Sequence, residues 1–101
     1  MQTVLDLFRL DRKIALVTGA ASGLGAAIAV ALAQAGATVA CHGNRRAATA
    51  TADAIGERAA AFQADLSSTH GAERLFSQVK QTFGRVDILV NNAGTIHRDA
   101  A

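Results

Sequence analysis

The chain has 101 residues, half of them hydrophobic and 18% charged, which gives one small globular domain a core and leaves too little for two. A formal net charge of +2, scattered basic residues apart from Arg45-Arg46 and Arg9, Arg12 and Lys13, and four aromatics (all Phe) argue against a nucleic-acid partner. A single cysteine, an N-terminus broken by charges, and no apolar run near the ~18 residues of a membrane helix read as a cytoplasmic protein off the membrane.

Lys13-Ile-Ala-Leu-Val-Thr18 is a short apolar run bounded by charge and glycine, as a buried parallel strand is. Ser22 to Ala35 follows, rich in helix formers, with Leu24, Ile28 and Leu32 spaced by four along one face. Ser22 fits an N-cap, and Gly36 fits the left-handed position after the helix. Thr38-Val-Ala-Cys41 predicts a second strand, and residues 46–58 a weaker Ala/Thr-rich helix broken late by Gly56. Ala60-Ala-Phe-Gln63 predicts a third strand. Ser68 to Phe83 predicts a helix with Leu75, Phe76, Val79 and Phe83 on one side, ended by Gly84. Val86 to Val90 predicts a fourth strand, running into Asn91-Asn92-Ala93-Gly94.

Alternation of strand and helix means an α/β fold with a parallel sheet and helical crossovers. Right-handed crossovers set strands 1, 2 and 3 outward in one direction and return strand 4 beside strand 1, giving a doubly wound sheet of order 3-2-1-4. Strand 4 is then an apolar edge, and the face under the third helix is only partly covered. On that ground the piece alone is expected to be marginal and prone to aggregate.

The sharp turn Thr18-Gly19-Ala20-Ala21-Ser22-Gly23-Leu24-Gly25 is neither G-x-G-x-x-G nor a Walker A loop; it is T-G-x-x-x-G-x-G. A strand that turns at once into a helix aims the helix N-terminus past the strand end, where N–H groups and the dipole attract an anion such as a pyrophosphate. Glycine admits the close backbone approach and, where needed, positive φ. A Gly-rich turn that binds nothing is the alternative, and its setting in a βαβ unit disfavours it.

That turn, Asp65-Leu66 after the third strand and Asn91-Asn92-Ala93-Gly94 after the fourth, together resemble the short-chain dehydrogenase/reductase family. The resemblance runs from about Asp11 onward and implies a Rossmann-like domain over residues 1–101, incomplete at its C-terminal side. It implies that Ser22, Gly23 and Leu24 lie along the cofactor pyrophosphate, with Gly19 and Gly25 permitting close approach. Asp65 would accept from the adenine amino group with help from the Leu66 backbone; a turn or capping aspartate is the alternative. Asn92, Ala93 and Gly94 would run beside the ribose and nicotinamide, with Asn91 tying the central strands.

The cofactor implied is NAD(P). About 20 residues past the glycines, where an acid would hold a ribose 2′-OH, stand Gly43 and Asn44, followed by Arg45 and Arg46, whose guanidinium groups suit a 2′-phosphate. This leans toward NADP, although the Ala20-Ala21-Ser22 loop lacks the basic residue of many NADP-preferring relatives. His42, His70 and His97 show no metal-ligand spacing with Cys41 or one another and read as solvated or supporting residues. His97-Arg98 is the better candidate for contact near a substrate; Asn91 to Arg98 resembles the segment of gluconate and 2-deoxygluconate dehydrogenases, and Arg98 could pair with a substrate carboxylate.

In that family the chemistry is carried by Tyr-x-x-x-Lys with a preceding serine, and this chain has no tyrosine. Its lysines, Lys13 and Lys80, lie in other elements, so no catalytic residue is assigned. The expectation is the cofactor-binding part of an oxidoreductase acting on a secondary alcohol or ketone, a homo-oligomer at full length. The alternative is a stand-alone dinucleotide-binding or assembly module.

Overall fold

A computed structural model describes residues 9–92. Its elements are β1 (Ile14–Val17), α1 (Gly23–Gln34), β2 (Thr38–Gly43), α2 (Thr49–Ile55), β3 (Ala59–Gln63), α3 (Thr69–Phe83) and β4 (Ile88–Val90). The strands form one parallel sheet in the order β3-β2-β1-β4, the truncated Rossmann-like topology expected from the alternation.

Side chains alternate across each strand, so β1 and β2 feed two cores. Ala15, Val17, Val39 and Cys41 face Ala29 and Ala33 of α1 and Ala52 of α2, whereas Leu16 and Ala40 pack with Leu75 and Val79 of α3. On that second side Leu89 of the edge strand β4 is 49% exposed and Phe76 of α3 is 37% exposed. A single helix covers this face among the described residues.

Four expectations need correction. In α1 the buried stripe is Gly25, Ala29 and Ala33, one position on from Leu24, Ile28 and Leu32, and Leu24 is 69% exposed. The helix crosses so close to the turn that only small residues fit beneath it: a Cβ on Gly25 would run into the Gly19 carbonyl oxygen and Asn92 Nδ2. Ile28 and Leu32 pack instead at the margin of the core.

The second helix starts at Thr49 instead of residue 46 because the chain folds back over the end of β2 first. The backbone of residues 46–48 occupies the space that a Cβ on Gly43 would need. Strand β4 is shorter than expected because Asp87 departs from the ladder: its Oδ2 accepts the Ile14 N–H at 2.8 Å, while its own N–H donates to the Ile14 carbonyl. His42, fourthly, is fully buried and not solvated.

Gly36 and Gly84 follow the expected helix-end signals, and Ser68, expected as the first helical residue, caps α3 instead. The Ser68 hydroxyl accepts the Gly71 N–H at 3.0 Å, Gly84 closes α3 at φ 92°, and Gly36 follows α1 at φ 112°. Arg58, unremarkable in the sequence, donates to the carbonyls of Ala33 (3.0 Å) and Ala37 (2.8 Å), covering the C-terminal end of α1 with a charge of favourable sign.

Candidate functional site

All the expected site residues within 9–92 lie at the C-terminal ends of the strands, where open α/β sheets take their ligands. Ala93, Gly94, His97 and Arg98 lie outside the described residues. His70 is exposed in the first turn of α3, beside Glu73.

The turn after β1 is built from both sides. Gly19 and Gly23 stand at φ 66° and 62°, backbone conformations that a side chain disfavours. Gly19 donates its N–H to His42 Nδ1 (3.1 Å), and its carbonyl accepts from Asn92 Nδ2 (3.2 Å). Ala20 donates its N–H to the His42 carbonyl (2.7 Å), and its own carbonyl accepts from the buried Thr51 hydroxyl (2.7 Å). Every backbone polar group of Gly19 and Ala20 is thus held by protein.

Farther along, the situation reverses. Ser22 has the extended backbone of an N-cap, φ −162°, but its hydroxyl makes no capping bond. The first backbone bond of α1 runs from Ala26 N–H to the Ser22 carbonyl at 3.4 Å, which leaves the N–H groups of Gly23, Leu24 and Gly25 at the mouth of the helix. A Cβ built on Gly23 meets nothing within 4 Å, so the space beside it is open.

Strand β4 is fastened to the turn by the asparagines. Thr18 donates its N–H to the Val90 carbonyl (3.0 Å), and Asn92 donates its N–H to Thr18 Oγ1 (2.9 Å). The Thr18 hydroxyl lies 3.3 Å from the Val90 carbonyl and 3.4 Å from Asn91 Oδ1, and its proton serves one of them at a time. Both asparagines therefore take part in the tie expected of Asn91. Beside Thr18 and Asn91 a cleft of about 230 Å³ is walled by Leu66, Leu75, Phe76 and Leu89.

On the other flank, Asn44 and Arg45 are exposed, with their carbonyls held by Gln63 Nε2 at 2.9 and 3.2 Å. Asp65 Oδ1 accepts both the Ser67 hydroxyl (2.7 Å) and the Ser67 N–H (2.9 Å), the turn-aspartate arrangement. These bonds, the hydroxyl's foremost, hold the Asp65 carboxyl below the usual carboxylate range, and the Arg45 charge adds to them. No hydrogen bond from the described residues reaches Oδ2. The loop carrying Asp65 sits close over α3, since a Cβ on Gly71 would strike the Asp65 carbonyl.

Sequence reasoning missed Thr51, Gly71 and the buried role of His42. For His42 a signal existed: it follows three apolar residues in a strand at the same parity as the buried Ala40.

A parallel 3-2-1-4 sheet with a glycine turn at the end of its central strand defines a Rossmann-like α/β protein. Residues 13–101 match the family model described as short chain dehydrogenase. Versicolorin reductase of Emericella nidulans is 45% identical over 96 residues, covering 90% of this chain and 36% of that protein. A dehydrogenase/reductase from Sinorhizobium meliloti superposes with a TM-score of 0.86 at 37% identity, over 98% of this chain and 41% of that one. A putative dehydrogenase from Burkholderia cenocepacia, solved with bound NADP, does so with 0.76 at 43% identity, over 83% and 35%. The chain belongs to the short-chain dehydrogenase/reductase family, and it spans well under half the length of these relatives.

Proposed function

We propose that the chain binds NAD(P), with NADP preferred, as the cofactor-binding part of a cytoplasmic oxidoreductase that interconverts a secondary alcohol and a ketone. The observation that carries the reading is the half-satisfied glycine turn. Gly19 and Ala20 are saturated by protein, whereas the amides of Gly23, Leu24 and Gly25 stand at a helix mouth beside open space. That arrangement fits a pyrophosphate, whose charge the helix end favours. When bound, the nicotinamide supplies the hydride acceptor or donor.

In this reading Ser22, Gly23 and Leu24 line the pyrophosphate, and Asp65 offers Oδ2 to the adenine amino group with Leu66 beside it. Asn44 and Arg45 meet the adenosine ribose, and Asn92, with Ala93 and Gly94, follows toward the nicotinamide. The NADP preference rests on Gly43 and Arg45. Gly43 has no room for any side chain, so no carboxylate stands there to repel a 2′-phosphate, and among the described residues no hydrogen bond or ion pair engages the Arg45 guanidinium. The NADP bound by the Burkholderia relative agrees with this. A sugar acid is the substrate class suggested by the Asn91–Arg98 segment, and the intact protein is read as a homo-oligomer. With no tyrosine in its 101 residues, the chain alone is expected to bind without turnover.

The test is titration of the chain with NADPH and NADH by nicotinamide fluorescence, undisturbed by tryptophan or tyrosine, which the chain lacks. Saturable binding that favours NADPH roughly tenfold or more, and loses that preference in Arg45→Ala, is expected from one charge-assisted contact. Equal affinities in the wild-type chain would overturn the NADP assignment, and no saturation with either would overturn the dinucleotide reading.

A further inference from the structure

His42 lies within the buried run of β2, yet no step of the proposed chemistry uses it. Its ring is fully buried and bridges two loops of the site. Nδ1 lies 3.1 Å from the Gly19 amide nitrogen, and Nε2 lies 2.8 Å from the Ala64 carbonyl oxygen, one residue before Asp65. An amide can only donate, so Nδ1 accepts; a carbonyl can only accept, so Nε2 carries the proton. Both bonds are made together only by the neutral Nε2–H tautomer.

We propose that His42 is a positioning residue for the dinucleotide, setting the glycine turn that meets the phosphates at a fixed distance from the Asp65 loop that meets the adenine. The inference rests on the dinucleotide reading above. The side chain and the backbone of the same residue act on adjacent peptides: Nδ1 takes the Gly19 N–H while the His42 carbonyl takes the Ala20 N–H. With Asn92 on the Gly19 carbonyl and Thr51 on the Ala20 carbonyl, these two residues have no free backbone polar group with which to rotate. The donors left for an anion therefore lie after Ala20, and Gly19 keeps its left-handed φ before any ligand arrives. A turn already in its bound shape loses less freedom on binding, which raises affinity without adding a contact.

Two near-isosteric substitutions separate the two bonds. In His42→Asn the amide oxygen takes the place of Nδ1, keeping the Gly19 acceptor and losing the reach to Ala64. In His42→Gln the amide nitrogen takes the place of Nε2, keeping the Ala64 bond and losing the Gly19 acceptor. Each variant gives up one buried bond, so a purely structural role predicts matched losses of melting temperature, Gly19 amide protection and NADPH affinity.

The positioning role predicts a split. Gly19 amide exchange, followed by NMR on the ligand-free chain, stays within threefold of wild type in His42→Asn and accelerates at least tenfold in His42→Gln. NADPH affinity follows the same order, again by tenfold, while the melting temperatures fall together. Parallel behaviour of the two variants in exchange and affinity would overturn the proposal. Imidazole nitrogen NMR of the wild-type chain guards against variants that do not fold: a protonated Nε2 with a bare Nδ1 coupled to the Gly19 amide is expected, and the other tautomer would overturn the assignment. If wild type binds no NADPH, the dinucleotide reading fails with it, whereas Gly19 exchange still reads what His42 holds.

Discussion

Gly23 and Gly25 sit two residues apart at the same helix mouth, yet replacing each with alanine should fail for different reasons. At Gly25 the φ is ordinary for a helix and the obstacle is space, because the added Cβ would overlap the Gly19 carbonyl and the Asn92 amide. Neither can swing away cheaply, since one is backbone and the other is bonded to it. Such overpacking costs about 1–3 kcal/mol, and two fixed obstacles put Gly25 at the upper end, while alanine returns about 1 kcal/mol of helix propensity. A net loss of about 2 kcal/mol is expected, roughly an 8–16 °C fall in melting temperature for a domain of this size. At Gly23 the space is open and the obstacle is φ 62°. Left-handed backbone costs an L-residue about 1–2 kcal/mol, offset in part by about 0.4–1 kcal/mol from a stiffer unfolded chain. Gly23→Ala should therefore lose roughly half as much stability as Gly25→Ala while abolishing NADPH binding, because its methyl enters the space left for the phosphates. Melting followed by far-UV circular dichroism, paired with the NADPH titration, reads both quantities. A Gly25→Ala chain that melts with wild type, or a Gly23→Ala chain that binds normally, would refute the reasoning.

Other expectations are quick to check. Thr51→Val leaves the buried Ala20 carbonyl without its donor and should cost about 1–3 kcal/mol in urea unfolding, with Thr51→Ser restoring most of it. Asp87 is held below the usual carboxylate range, first by the Ile14 N–H and also by Arg85. Its stabilisation is therefore complete above the unfolded value of about 3.9 and is lost as pH falls through the lower folded value. In a series of melts below pH ~4, Asp87→Asn should flatten the decline without removing it, since Asp65 is shifted the same way. Burial pushes the Cys41 thiol up to about 11, so at pH 8 a thiol reagent should label the folded chain only as fast as it opens. Immediate labelling without denaturant would contradict the core assignment.

The strand order and the glycine turn were legible because they depend on local signals: apolar runs, a T-G-x-x-x-G-x-G spacing and a fixed crossover hand. What sequence could not supply were distances between segments far apart in the chain. Leu24 looks like a core residue until Gly25 is found pressed against Gly19, which lets α1 approach and rotates the buried stripe onto alanines. Asp87 looks like a strand residue until its carboxylate is found replacing a ladder carbonyl at Ile14. His42 carries no spacing motif, because its two partners, Gly19 and Ala64, are backbone groups that any sequence would offer. Asp65 shows the same limit from the other side: the sequence left a turn role open, and only the fold shows one of its oxygens taking both bonds from Ser67.

The tie between Thr18 and Asn92 also bears on the order in which the molecule is made. β1 lies inside the sheet, and its neighbour on one side is the next strand, whereas Asn92 on the other side stands 74 residues away. Contacts of such separation close late, because a long loop must be drawn shut before they return anything. The glycine turn leaves the ribosome well before the amide that braces Gly19, which follows 73 residues later. A nascent chain therefore carries the shape of its turn in outline long before it can brace it.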